Sequence, residues 1–337
     1  MNQLQTSASQ QPLIMITGAN GFVGRRLSLH LHEYGFPLRL CTRRAWSLYE
    51  TKPADNSESK SEISYHSLGD FTAQSDWSSV LQEHSGVPDV LIHCAARVHV
   101  MNDTAADPLA AFRAVNRDLS LQLAQQAAAA GVKQFIYLSS VKVNGEQTQA
   151  GLPFRETDTP APSDPYGISK YEAEQALLEL GARTGMAVTI VRPPLVYGEG
   201  VAANFRSMLR WVRKGIPLPL GAIKNARSLV YVGNLVDFIR HCIGNQAAAQ
   251  QCFLISDDHD LSTTDLLKAA AQAQNCPARL LPVPSALLYF GASLIGKRAI
   301  ADRLCGSLQV DISKAKKELN WKPPYSVEDG LRDSVQS

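Results

Sequence analysis

The sequence predicts an α/β fold, a doubly wound parallel sheet with helices on both faces and a smaller mixed lobe toward the C-terminus. Strand-length apolar runs alternate with helical segments from residue 12 to residue 198. Several runs, PLIMITG and DVLIHCAA among them, are apolar on both faces, as strands buried inside a parallel sheet are. Past residue 198 the alternation loosens into short helices with Pro-rich connections, which points to a second lobe.

Residues 1–11 read as a disordered tail. PLIMITG is the first strand, and FVGRRLSLHLHEYG is a helix with Gly35 at its C-terminal end. FPLRLCTRR is the second strand, and the polar, Pro-containing segment 50–62 is a surface loop. ISYHSLGD is the third strand, SDWSSVLQEHSG a short helix and DVLIHCAA the fourth strand. DPLAAFRAVNRDLSLQLAQQAAAAG is one long helix leading to the fifth strand, QFIYLSS. DPYGISKYEAEQALLELGARTG is the next helix, and MAVTIVRPPLVYG reads as a single sixth strand. NFRSMLRWVRKG is a helix, and GAIKNARSLVYVGNLVDFI is a loop, strand and helix. Residues 12–198 with 226–255 are assigned to the sheet domain, and 199–225 with 256–337 to the lobe.

With 337 residues, 45% of them hydrophobic, the chain can bury a sizeable core. Its net charge of +2 gives no reason to expect nucleic acid or an anionic membrane as partner, though a local basic pocket stays open. The six cysteines show no CxxC spacing and several sit in apolar runs, so they read as small buried hydrophobes rather than metal or disulfide partners. The polar N-terminus has no apolar signal core. SALLYFGASLIG is shorter than the ~20 residues a bilayer span takes. The expectation is a cytoplasmic protein with no metal and no membrane insertion.

Residues 17–24, TGANGFVG, follow the first strand and open the first helix. Gly18, Gly21 and Gly24 allow a tight turn and let a pyrophosphate approach backbone N–H groups at a helix N-terminus. A lone glycine set is weak, but strand and helix flank this one as a Rossmann-type dinucleotide site requires. Asn20, Phe22, Val23 and, at the fourth strand, Ala95 complete the candidate cofactor contacts. The second strand ends at Thr42, Arg43 and Arg44, with no acid to bond the ribose hydroxyl of NAD. Arg43 suits a 2′-phosphate, so NADP is favoured over NAD. Asp70 either faces the adenine or caps the next segment.

Tyr166 and Lys170 in YGISK lie four residues apart and share a helix face. A lysine cation beside the phenol is expected to lower its pKa and make it a general acid/base. Ser140 ends the fifth strand, at the carboxyl end of the sheet where ligands bind. An isolated YxxxK is most simply an exposed helix pair; downstream of a glycine fingerprint it is far more specific. His93 reads as structural, with no ligand cluster around it.

TGANGFVG, HCAA at 93–96, Asn116 in AVNRDL, LSS ending at Ser140, YGISK and RPPLVYG occur together in this order. The chain thereby resembles the extended short-chain dehydrogenase/reductases, the NAD-dependent epimerase/dehydratase family, over nearly its whole length. It looks most like bacterial enzymes of O-antigen sugar synthesis, including UDP-sugar 4-epimerases and the 4-reductases that make UDP-N-acetylquinovosamine or its fucosamine epimer. The resemblance implies Tyr166 as acid/base, Ser140 orienting the sugar oxygen, and Lys170 also holding the nicotinamide ribose. It makes Asn116 structural or a proton relay. It implies a UDP-sugar substrate contacted by Asn204, Arg227 and Arg303, although either arginine could instead form a surface salt bridge. A homodimer is expected on family grounds alone.

Family dehydratases carry an Asp–Glu pair after the catalytic hydroxyl residue, where this chain has Val141 and Lys142, which argues against water elimination. Asn144 replaces the usual tyrosine of VYG and suggests a changed sugar-pocket polarity. Two activities at carbon 4 remain, reduction of a UDP-4-keto-6-deoxy-N-acetylhexosamine and epimerisation. Arg43 tilts the sequence reading toward the reductase, which draws on NADPH. A non-sugar ketone reductase and a non-catalytic dinucleotide sensor are the remaining alternatives.

Overall fold

The computed structural model describes residues 11–48, 61–98, 106–149, 151–201 and 203–335, with 203 and 204 as backbone only. The expected N-terminal tail and most of the 50–62 loop lie outside the described residues. Seven strands form one parallel sheet: β1 (Ile14–Thr17), β2 (Leu38–Thr42), β3 (Ile63–Ser67), β4 (Val90–His93), β5 (Gln134–Leu138), β6 (Ala187–Arg192) and β9 (Gln251–Leu254). Their order is β3-β2-β1-β4-β5-β6-β9. Every residue of β1, β2 and β4 is buried, because helices cover both faces. The strand order reverses between β1 and β4, and in such a sheet the crevice beyond the carboxyl ends of those strands is where a ligand binds.

The first half of the chain supplies α1 (Phe22–Glu33), the short α2 (Ser78–Leu81), α3 (Pro108–Arg113), α4 (Ser120–Ala130) and α5 (Pro165–Thr184). Local chemistry sets the ends of α5. Asp164 caps its start through a 2.6 Å bond from the Gly167 amide, Pro165 pre-sets the first turn, and Gly185 closes it with φ of 78°. The long helix expected at 107–131 is not continuous. A π-helical turn, Ala114–Leu119, joins α3 to α4. Within it the Asn116 carbonyl accepts bonds from Tyr137 Oη at 2.9 Å and Ser120 Oγ at 2.8 Å, side-chain donors brought to a carbonyl in a widened turn.

The single sixth strand expected at 186–198 is two. Pro193 and Pro194 end β6, since proline cannot donate to the ladder, and the chain continues as β7 (Leu195–Tyr197). β7 pairs in parallel with β8 (Leu229–Tyr231), apart from the main sheet. The remaining helices are α6 (Ala203–Arg213), α7 (Val232–Cys242), α8 (Thr263–Ala273), α9 (Ser285–Leu294), α10 (Arg298–Cys305), α11 (Ser313–Glu318) and α12 (Val327–Val335). Val212, Leu218, Ile223, Leu267 and Ala271 form a small separate core, with Leu288 and Leu304 packed on it. Ile312, Trp321 and Leu331 instead share the main core with Phe238 and Phe253. All six cysteines are free thiols. Among the described residues no helix is long and apolar enough to cross a membrane.

Candidate active site

A cleft of about 450 Å³ opens at the carboxyl ends of β1, β4 and β5. Gly18, Asn20, Gly21, Phe22, Val23 and Gly24 form one wall. Arg43, Phe71, Ala95, Ser139, Tyr166 and Lys170 contribute to the others. A smaller hollow of about 360 Å³ lies at the opposite, amino ends of β1 and β2, beside Leu13, Pro37 and Asp89, and brings none of the motif residues together.

The glycine turn is shaped by backbone approach. Gly18 has φ of +71°, and a Cβ there would lie 2.7 Å from the Ala95 nitrogen. A Cβ on Gly24 would lie 2.1 Å from the Gly18 carbonyl oxygen, so the first turn of α1 can pack onto the loop only without a side chain. Gly21 is the helix N-cap and supplies no side-chain hydrogen bond. The loop therefore presents backbone at a helix N-terminus, the donor set and field that a pyrophosphate fits. A nicotinamide dinucleotide matches this cradle.

Ser140 lies close enough to Tyr166 to act on the phenol's pKa. The Ser140 Oγ also accepts the Lys142 amide at 3.3 Å. Tyr166 packs edge-on against Phe112, with ring centres 6.1 Å apart. Burial pushes the Tyr166 phenol up to about 12; the Ser140 hydroxyl opposes the rise and Asp164 adds to it. This corrects the expectation that Lys170 lowers the phenol. Burial also drives the Lys170 amine down to about 7, against the pull of Glu174 and Cys94. Its Nζ donates to the Leu138 carbonyl at 2.8 Å and lies 4.4 Å from the Tyr137 ring centre. An amine that is partly neutral near pH 7 and turned to β5 exerts little field on the phenol.

Beneath this pair lies a buried charged network that the motifs did not reveal. Ser139 Oγ donates to the Glu174 carboxylate, and Arg192 Nε donates to the same group at 2.9 Å. Arg192 Nη1 reaches Asn144 Oδ1 at 3.0 Å, and Asn144 Nδ2 donates to the Arg155 carbonyl at 3.0 Å. Asn144 is buried and committed to this network, so the expected change in sugar-pocket polarity gives way to a framework role. The available signal was Glu174, four residues beyond Lys170 on the same helix face. Asn116 is likewise spent on the protein: it accepts the Arg97 amide at 2.8 Å and donates to the Arg97 carbonyl and to Ser169, each at 3.0 Å. His93 sits between Thr17 at 2.6 Å and Ser120 at 3.0 Å, and burial pushes it down to about 3, which holds it neutral.

The other predicted residues are distributed unevenly. Arg43 lines the cleft with its side chain 73% exposed, 3.9 Å from the carboxylate of Asp70. Asp70 itself does not line the cleft; its neighbour Phe71 does, braced on Trp77 with ring centres 4.9 Å apart. Arg227 is not in a salt bridge among the described residues. Its Nη1 donates to the carbonyls of Arg303 at 3.0 Å and Gly306 at 3.1 Å, tying β8 to the end of α10. The Arg303 side chain is exposed. The Asn204 side chain lies outside the described residues.

Residues 14–255 match the model of the NAD dependent epimerase/dehydratase family. The chain is 44% identical over 327 residues to a UDP-glucose 4-epimerase of Vibrio cholerae, covering 96% of this chain and 94% of that protein. Among solved structures, UDP-glucuronic acid 4-epimerase from Bacillus cereus in complex with NAD superposes with a TM-score of 0.72, at 18% identity and 96% and 97% coverage of the two chains. RMD from Pseudomonas aeruginosa complexed with NADPH gives a TM-score of 0.71 at 21% identity, covering 96% of this chain and 98% of that one.

Proposed function

Because this chain belongs to the NAD-dependent epimerase/dehydratase family, we propose that it is a UDP-sugar 4-epimerase, working at carbon 4 of a UDP-hexose or UDP-N-acetylhexosamine. The observation that carries the chemistry is the convergence of the glycine cradle, Tyr166 and Lys170 on one cleft, with Ser140 close enough to the phenol to act on its pKa. The 44% identity to the Vibrio cholerae 4-epimerase supports carbon 4 and moves the balance from reduction to epimerisation.

In this reading Gly18 to Gly24 hold the pyrophosphate of NAD or NADP, Ala95 and Phe71 flank its adenosine half, and Lys170 holds the nicotinamide ribose. The bound nicotinamide supplies hydride acceptance and return. The chain's own residues move the proton. Tyr166 Oη receives the proton of the carbon 4 hydroxyl and returns it to the ketone oxygen, while Ser140 donates to that same oxygen and keeps it aligned. Burial keeps the phenol protonated, the form that gives its proton to the ketone, and taking the alcohol proton requires the phenolate. Val141 and Lys142 leave no carboxylate for water elimination. Lys142 is bonded to Glu146 at 3.1 Å and to Asp164. Arg227, Arg303 and Asn204 are the proposed diphosphate contacts; Arg227 keeps further N–H donors beyond the nitrogen spent on Arg303 and Gly306.

One observation favours a second reading. Arg43 stands in the cleft where an acid would select NAD, which suits an NADPH-dependent 4-ketoreductase. A product assay separates the two. Incubation with UDP-glucose or UDP-N-acetylglucosamine and no added reductant should yield the 4-epimer. No epimer, with turnover appearing only on a UDP-4-keto-6-deoxy sugar plus NADPH, overturns epimerisation in favour of reduction.

A further inference from the structure

The helix α9 has no buried residue. The chain carries no charge from Leu280 to Gly296. Leu287, Phe290 and Leu294 follow i, i+3, i+7 spacing and share one face, exposed by 59%, 65% and 72%. Ile295 continues the stripe at 66%. The other face is already used, with Leu288 packed on the small core and Ala292 half-buried. A helix that is apolar all round is ordinarily covered on every side, and a contiguous apolar patch marks an interaction surface.

The surrounding charge says what covers it. Arg279 precedes the apolar stretch, and Lys297 and Arg298 follow it. The chain after α6 adjoins this segment, with Leu218 N donating to the Arg279 carbonyl at 2.9 Å and Leu281 N to the Leu218 carbonyl at 2.8 Å. There Trp211 is 53% exposed and Ile216 43% exposed, beside Arg206, Arg210, Arg213 and Lys214. Segments 203–217 and 279–300 together hold seven Lys and Arg and no Asp or Glu. None of the seven makes an ion pair among the described residues. The net charge of +2 hides this asymmetry.

We infer that α9, the start of α10 and the exposed end of α6 dock on the surface of an anionic bilayer. Leu287, Phe290, Leu294 and Ile295 enter the acyl boundary, Trp211 sits at the headgroup level, and the basic residues meet lipid phosphates. At ten residues α9 is about 15 Å long, half a hydrocarbon core, so it lies in the interface and does not span it. A second copy is the competing occupant. A two-fold contact through this face would bring like basic residues together, and their repulsion disfavours it.

Vesicle flotation of the full chain tests this, and it does not depend on which sugar is the substrate. The protein should float with phosphatidylcholine vesicles containing phosphatidylglycerol, and roughly tenfold less with phosphatidylcholine alone. Phe290→Asp with Leu294→Asp, and separately Lys297→Glu with Arg298→Glu, should each lower flotation by roughly tenfold or more. All four positions are exposed, so the melting temperature and turnover of a soluble UDP-sugar should be retained. Absence of flotation with anionic vesicles, or flotation that both variants preserve, overturns the inference. Light scattering that shows a dimer dissociated by Phe290→Asp also overturns it and assigns the face to a second copy.

Discussion

Replacing Lys170 by methionine separates the demands of catalysis from those of folding. The amine is 1% exposed, and burial lowers its pKa from 10.5 to about 7. Between those values the unfolded chain binds a proton at this position that the folded chain has released. Stability therefore rises with pH across this window, is fully recovered above pH 10.5, and is lost as pH falls toward 7. Each pKa unit corresponds to about 1.4 kcal/mol. From pH 7 to pH 9, allowing for half-titration at the lower limit, the wild type should gain about 2 kcal/mol from this one group. Methionine does not titrate, so Lys170→Met should lack that gain while turnover falls by about a hundredfold or more. Urea unfolding of both proteins at pH 7, 8 and 9, followed by the fluorescence of the four tryptophans, reads the difference directly. Other titrating groups cancel in the comparison. Parallel stability curves would mean that Lys170 is equally charged in both states and would refute the reasoning.

Tyr166→Phe keeps the Phe112 contact and removes the proton donor; turnover should fall by about a hundred- to ten-thousandfold, while titration with NAD or NADP shows unchanged affinity. Near-normal turnover would remove Tyr166 from its proposed role. Arg43→Asp places an acid at the end of β2 and should shift cofactor preference toward the non-phosphorylated dinucleotide, measured as the ratio of kcat/KM values; an unchanged ratio counts against a 2′-phosphate contact. Glu174→Ala leaves the buried Arg192 guanidinium without its carboxylate and should cost about 3–5 kcal/mol of stability in chemical unfolding. A loss below about 1 kcal/mol, the range of exposed pairs, would show that water reaches the network.

Part of this molecule is written in local pattern. The alternation of strand and helix, the three glycines at one turn and the four-residue spacing of Tyr166 and Lys170 depend on neighbours in the chain, and each is present in the structure. Even here local rules mislead where the break is small. The two prolines after β6 divide what periodicity joins, and a π-helical turn interrupts a helix of unbroken pattern. The electrostatics of the cleft could not be read this way. Lys170 is a cation by composition, and a half-neutral amine only because burial against β5 and Tyr137 takes it out of water. Asn144 looked like a pocket residue until Arg192, 48 positions away, occupied it. Arg227 looked like a phosphate ligand or a surface ion-pair partner until the end of α10 took one of its nitrogens. Sequence by itself determined the fold class, the glycine turn and the chemical types at the site, since these follow from periodicity and short spacing. Tertiary structure alone decided which of those groups are buried, charged or already partnered. Desolvation and hydrogen bonding are set by residues far apart in the chain, and only the packed fold brings them within reach.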